Sequence, residues 1–138
     1  MSFNLFRANN QQTVDMRHNY KQIAEELCKH YYTAYDNNFQ DLVNVYYTDS
    51  QFTYQDQEIT GFNTLLQKLR ESGVTNFTHY DMNVSAQPIG PSNIIITIIG
   101  SISLNNSIFL NKFIETLYIQ RDDSNVLRIC STIFKIID

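Results

Sequence analysis

The chain has 138 residues and 16.1 kDa, with 43% apolar and 17% charged residues, which fits one domain with a real core and no second one. A formal charge of -4, a pI near 5.2 and only 10 scattered Lys and Arg argue against a nucleic-acid footprint, which needs clustered basic residues. With 15 Asn and 10 Gln, much of the surface is uncharged amide.

Residues 1–14 are polar and show little periodicity, and are read as a tail ahead of a single domain over 15–138. The start MSFNLFRANNQQ lacks the charged head and apolar stretch of a signal peptide. No run approaches the ~18 apolar residues of a membrane span, so an intracellular protein is expected. The Asn-x-Ser/Thr matches at Asn76, Asn83 and Asn105 are then idle. Cys28 and Cys130 stand far apart in apolar-patterned segments and read as reduced core thiols.

From Asp15 onward, Tyr20, Ile23, Ala24, Leu27, Cys28, Tyr31, Ala34 and Tyr35 form a stripe of period 3.6, with Lys21, Glu25, Glu26 and Lys29 opposite. This predicts a first helix, ended by Asp36-Asn37-Asn38. A shorter helix over Phe39 to Tyr46 places Phe39, Leu42, Val43 and Tyr46 on one face. QFTYQDQEITG reads as two short strands or a hairpin around Asp56-Gln57. After Gly61, the residues Phe62, Leu65, Leu66 and Leu69 define a third helix, closed near Ser72-Gly73.

Beyond Gly73 the period becomes two, and four strands are expected: Phe77 to Gln87, Ile94 to Leu104, Phe109 to Ile119 and Val126 to Ile137. Asn105-Asn106-Ser107 reads as the tight hairpin turn joining the central two. Helices first and a short-looped meander after them predict an α+β cone or half-barrel, with a strongly curved antiparallel sheet wrapped on three helices. Both faces of the late strands are apolar. Ile95, Thr97 and Ile99 alternate with the inner set, as do Leu127, Ile129, Ile133 and Ile137 in the last strand. The helices cover one face, so a partner subunit is expected on the other.

Chemistry is sparse. His18, His30 and His79 show no metal-ligand spacing, and with four glycines no phosphate-cradling loop is present, so neither metal nor cofactor is expected. An acid–base enzyme would need a carboxylate or His inside the cone, with Asp81, His79 and Asp56 as candidates and Tyr31, Tyr35 or Tyr54 as donors. The tyrosines read as core aromatics and Asp81 as a polar-face residue. His79 stands between a structural hydrogen bond and a catalytic role.

AEELCKHYYTAYDNNFQDLVNVYY, FTYQDQEITGFNTLLQKL, HYDMNVSAQP, IITIIGSIS, FIETLYI and CSTIFKI, in this order from about Tyr20 to Ile136, resemble the nuclear transport factor 2 family. The resemblance implies the cone fold and a non-enzymatic adaptor. Such an adaptor dimerises through the outer sheet face, here Ile95, Ile99 and Ile129, and binds Phe-Gly repeats of nuclear pore proteins. It implies a place in cytoplasm, nucleus and nuclear pore, with no nucleic acid and no membrane. Relatives also include the partner subunit of a heterodimeric mRNA exporter, a stress-granule scaffold domain and, further out, isomerase- and dehydratase-like enzymes. Partner-binding positions carried over are Tyr54 and Gln55 at the rim, Asn105, Asn106 and Ser107 in the turn, and Phe134 and Lys135 in the closing motif. The family's transport factor binds the GDP form of Ran through acids at the rim and in that turn. Here Gln55 and Asn105-Asn106-Ser107 replace them, so a charge-assisted gain of roughly 1.5–3 kcal/mol is forgone and Ran binding is expected to be weak or absent.

Overall fold

A computed structural model describes residues 15–137; the expected tail, 1–14, lies outside the described residues. Helix α1 spans Tyr20–Asn37 and buries the predicted stripe from Ala24 to Tyr35, widened by Tyr32. Asn38 leaves the helix in an extended conformation, its N–H still bonded to the Ala34 carbonyl at 2.8 Å. The expected second helix is a 3-10 helix over Phe39–Val45, burying Leu42 and Val45.

β1 (Tyr46–Tyr54) and β2 (Gln57–Thr60) form the expected hairpin. Its two-residue turn is Gln55-Asp56, both with positive φ (50° and 70°), as a type I′ turn requires. α2 follows over Phe62–Glu71, and the remaining strands are β3 (Phe77–Ile89), β4 (Asn93–Leu104), β5 (Asn111–Arg121) and β6 (Leu127–Ile136). β3 runs on through Pro88 because it is an edge strand, paired only with β4, where a missing N–H costs nothing on the open side.

The sheet order is β2-β1-β6-β5-β4-β3. Every neighbouring pair is antiparallel except β1 with β6, so the expected antiparallel sheet carries one parallel pair. That pairing joins strands far apart in the chain, and the whole intervening segment acts as the long crossover that parallel strands need. The sheet curves without closing around α1, and its concave side buries Ile94, Ile96, Ile98, Ile102, Phe113, Leu117, Ile119, Ile129 and Phe134.

Two bulges shape the curve. In β3 the register shifts between Tyr80 and Asn83, where Asp81 adopts φ 52°. Gly100 of β4 faces this bulge. A Cβ there would lie 2.8 Å from the Tyr80 carbonyl oxygen and 3.1 Å from the Phe113 ring. Gly100→Ala is expected to lower stability by about 1–3 kcal/mol through overpacking, seen as a lower urea midpoint at unchanged slope.

In β6 the extra residue is Cys130: Ile119 pairs with Ile129, but Tyr118 pairs with Ser131. Side-chain parity therefore inverts within the strand. Leu127 and Ile129 point inward before the bulge, Thr132 and Phe134 after it, while Ile133 faces out. This corrects the expected outer set. Leu127 and Ile129 are buried inside the monomer, so Ile129 cannot line a dimer face; of the expected strand residues, Ile133 does face out.

Candidate functional site

The mouth of the cone gathers the C-terminal ends of β1, β4 and β6 and the N-terminal ends of β3 and β5. Parallel pairing sets Tyr54 beside Phe134, and their rings stack at 5.3 Å with planes 9° apart. Phe134 is only 1% exposed, so it forms the floor under Tyr54 rather than a contact surface of its own. Gln55 is committed within the chain. Its N–H donates to the Phe134 carbonyl and its side-chain oxygen accepts the Ile136 N–H, each at 3.0 Å. Lys135 meets Asp56 at 3.0 Å in an exposed ion pair.

The segment after β4 departs from the expected tight turn. β5 starts at Asn111, not Phe109, leaving a loop over 105–110. Asn105 and Asn106 take φ of 55° and 58°, a region Asn tolerates better than most residues. The Asn105 side chain clamps the α2–β3 connection. Its oxygen accepts from the Thr75 N–H (2.7 Å) and hydroxyl (2.9 Å), and its NH2 donates to the Gly73 carbonyl (2.8 Å). Asn105 thus works inside the molecule, and the bond to Gly73 is one a carboxylate cannot make. Asn106 and Ser107 remain exposed. Asn105→Ala is expected to cost about 2 kcal/mol, through lost hydrogen bonds and an unfavourable φ, read as a drop in thermal midpoint.

The loop then presents Ile108, Phe109 and Leu110 to solvent, at 88%, 75% and 51% exposure. Ser103 donates to the Ser107 carbonyl (2.7 Å) and the Ser107 hydroxyl accepts the Phe109 N–H (3.1 Å), which holds the loop's shape. The alternating pattern of SIFLNKF suggests strand, yet the β4–β5 register begins only at Ile102 with Asn111.

Inside the cone the sequence candidates take structural positions. The Tyr31 and Tyr46 hydroxyls share a hydrogen bond at 2.7 Å, and Tyr35 packs edge-on against Tyr31 and Phe77. His79 Nδ1 lies 2.5 Å from one Asp36 oxygen, while the His79 N–H donates to the other at 2.9 Å. That pair ties β3 to the end of α1. His79 Nε2 is buried without a partner among the described residues. Asp81 is exposed in its bulge, and Asp56 is exposed in its turn.

Glu115 went unnoticed in the sequence. It is buried on β5 and accepts the Tyr32 hydroxyl at 2.7 Å. Burial pushes its carboxyl up to about 7, partly offset by that hydrogen bond. The signal was the inward alternation Phe113-Glu115-Leu117-Ile119, in which one acid interrupts an apolar face. Beside it lies a cavity of about 10 Å³, lined by Tyr31, Tyr46, Tyr54, Glu115 and Phe134 among others. That holds about one water, whereas a substrate pocket needs roughly 300 Å³ or more.

Among the described residues no cluster of His, Cys, Asp or Glu could hold a metal ion, and no helix is long and apolar enough to cross a membrane. Both cysteines are free thiols. Burial pushes Cys28 up to about 12, whereas Cys130 is the half-buried bulge residue of β6 rather than a core residue.

On the convex side, Tyr80, Ile95, Thr97, Ile99, Ile114, Thr116, Tyr118 and Ile133 share one face of β3–β6. None of these carries a charge; Lys112 beside Ser101 and Lys135 beside Ile114 stand on the same face at its mouth end, and Arg128 beside Gln120 at the other. Ile95 and Ile99 therefore lie where expected, with Ile99 48% exposed.

The family model described as the Nuclear transport factor 2 (NTF2) domain matches residues 23–136. The chain belongs to the nuclear transport factor 2 domain family. Nuclear transport factor 2B of Arabidopsis thaliana is 24% identical over 115 residues, covering 83% of this chain and 91% of the relative. Among solved structures, nuclear transport factor 2 from Cryptosporidium parvum superposes with TM-score 0.75 at 18% identity, over 93% of this chain and all of the other. The fold is shared with enzymes. A hexachlorocyclohexane dehydrochlorinase, LinA-type3 from Novosphingobium barchaimii, superposes with TM-score 0.70 at 14% identity over 90% of this chain and 91% of its own. At these identities the structural likenesses speak to fold alone.

Proposed function

We infer that this chain is a non-enzymatic adaptor of nucleocytoplasmic transport, dimerising through its convex sheet face and binding Phe-Gly repeats of nuclear pore proteins. The observation that carries the reading is the convex face of β3–β6, where Ile95, Thr97, Ile99, Ile114, Thr116, Tyr118 and Ile133 form an uncharged central patch with basic residues only at its ends, open in the single chain. Its relatives' shared name, nuclear transport factor 2, supports the transport role. So does the interior beside Glu115, where the cavity of about 10 Å³ is too small for a substrate. An isomerase- or dehydratase-like activity centred on Glu115 has no such room to use.

Ran-GDP binding is weak or absent. The positions that carry acids in the family's transport factor are uncharged here, and Gln55 and Asn105 spend their side-chain groups inside the chain. The working places of such an adaptor are cytoplasm, nucleus and the nuclear pore.

The test is to titrate the purified chain separately with a Phe-Gly repeat peptide and with GDP-loaded Ran, and to sediment it alone. A dimer that binds the repeat peptide and ignores Ran is the expected result. A monomer that binds the peptide points instead to a heterodimer with an exporter- or scaffold-like chain. A monomer that binds no Phe motif ends the adaptor reading, and tight Ran binding refutes the argument from the missing acids.

A further inference from the structure

The two largest cavities among those described lie side by side between the 3-10 helix and α2, away from Tyr54 and Phe134, with Thr75 and Asn76, the residues bonded to Asn105, in the wall of one of them. They measure about 350 and 460 Å³ and share Gln40, Leu66 and Arg70. Each is of ligand-binding size, and together they form one elongated groove. Apolar side chains line both halves: Phe39, Leu69 and Val74 on one side of Leu66, and Val43 on the other. Val43 is among the most exposed aliphatic residues of the described chain outside the strands and the rim loop.

The polar lining is specific in kind. Asn37, Gln40, Asn63, Gln67 and Asn76 bring amide groups to the walls. Asn76 itself is half-buried in the wall, its side-chain oxygen without a partner among the described residues. Arg70 is the basic residue common to both cavities, and no described residue forms an ion pair or side-chain hydrogen bond with it. The acid in the lining, Asp36, has both oxygens engaged by His79.

We propose that this groove binds a short extended peptide segment of a partner protein, with large apolar side chains on either side of a carboxylate. The apolar residues fill the two halves, and the carboxylate meets Arg70 at the junction. The amide walls pair with the peptide backbone, whose N–H and C=O groups are the natural complement of Asn and Gln side chains. A Phe-Gly repeat lacks the carboxylate, so this is a second docking surface, independent of the adaptor reading.

The probes are two fluorescent heptapeptide pools with randomised flanks, one built around Leu-Asp-x-Leu and one around Leu-Asn-x-Leu. Fluorescence anisotropy follows each against the full chain, Arg70→Ala and Val43→Asp. The wild type is expected to bind the acidic pool about fivefold more tightly than the neutral one, the upper range for an exposed charge pair. Arg70→Ala should equalise the two pools, and Val43→Asp should weaken both. Titration of a Phe-Gly repeat peptide with both variants should match the wild type, which also shows that they are folded. No saturable binding of the acidic pool up to about 1 mM, a range that includes weak peptide contacts, overturns the proposal. So does binding that Arg70→Ala and Val43→Asp leave unchanged.

Discussion

Replacing Ile99 by Asp is expected to turn a dimer of this chain into a folded monomer. Ile99 sits on β4 opposite Ile114 of β5 and Asn83 of β3, on the convex face, and is 48% exposed in the single chain. The monomer loses no core contact by the change, so its thermal midpoint measured well below the dimer's dissociation constant should move little. In a two-fold dimer the same position enters the interface from both subunits, and each new carboxylate is desolvated against an apolar surface without a partner. An uncompensated buried charge costs on the order of 3 kcal/mol or more, and it is incurred twice, about 6 kcal/mol in all, so the dimer's dissociation constant should rise on the order of ten-thousandfold. Sedimentation across a dilution series reads this directly. If Ile99→Asp remains as dimeric as the wild type, the convex face is not the interface.

Glu115 should make the protein less stable in mild base than in mild acid. Burial raises its folded pKa to about 7, above the 4.5 of a free glutamate side chain, which stands for the unfolded chain. Between those values the folded state holds a proton that the unfolded state has released, so stability falls as pH rises. This group's favourable contribution is complete below about pH 4.5 and lost by about pH 7. Across that window one site removes about 3 kcal/mol, from 1.36 kcal/mol per unit. Glu115→Gln keeps an acceptor for the Tyr32 hydroxyl and removes the charge. The variant should lack this component of the pH dependence, and at pH 8 it should be more stable than the wild type by about 2 kcal/mol, less than the full term because its NH2 is buried. Urea denaturation of both proteins at pH 5, 6, 7 and 8 tests it. Parallel profiles would mean that Glu115 titrates alike in the folded and unfolded chain.

The helices and strands of this protein were readable because burial imposes periodicity. The stripe from Tyr20 to Tyr35 marks α1, and the β-branched run from Ile94 to Ile102, apolar on both faces, marks β4. The resemblance over Tyr20 to Ile136 matched the family model's span closely. What alternation could not reveal is where it breaks. One extra residue at Cys130 inverts the facing of everything after it, which is why Ile129 looked like an outer residue and is a core one.

Residue roles at the mouth were harder to read for a different reason. Asn105 and Gln55 looked like partner-facing positions because they stand in a turn and at a rim. Their hydrogen-bond partners, Thr75 and Gly73 for one and Ile136 for the other, are far away in sequence. The carboxyl of Glu115 is likewise unremarkable until Tyr32 and the rest of the cone close over it.

The sequence by itself determined the cone, its family and the amides that stand at Gln55, Asn105 and Asn106, because each follows from composition, local period or residue identity. Only the tertiary structure decided the parallel β1–β6 pair, the inward turn of Ile129, the internal work of Asn105 and the buried state of Glu115. Each of these depends on contacts between distant segments, and side-chain orientation across a bulge or a closed interior has no local signature in the chain.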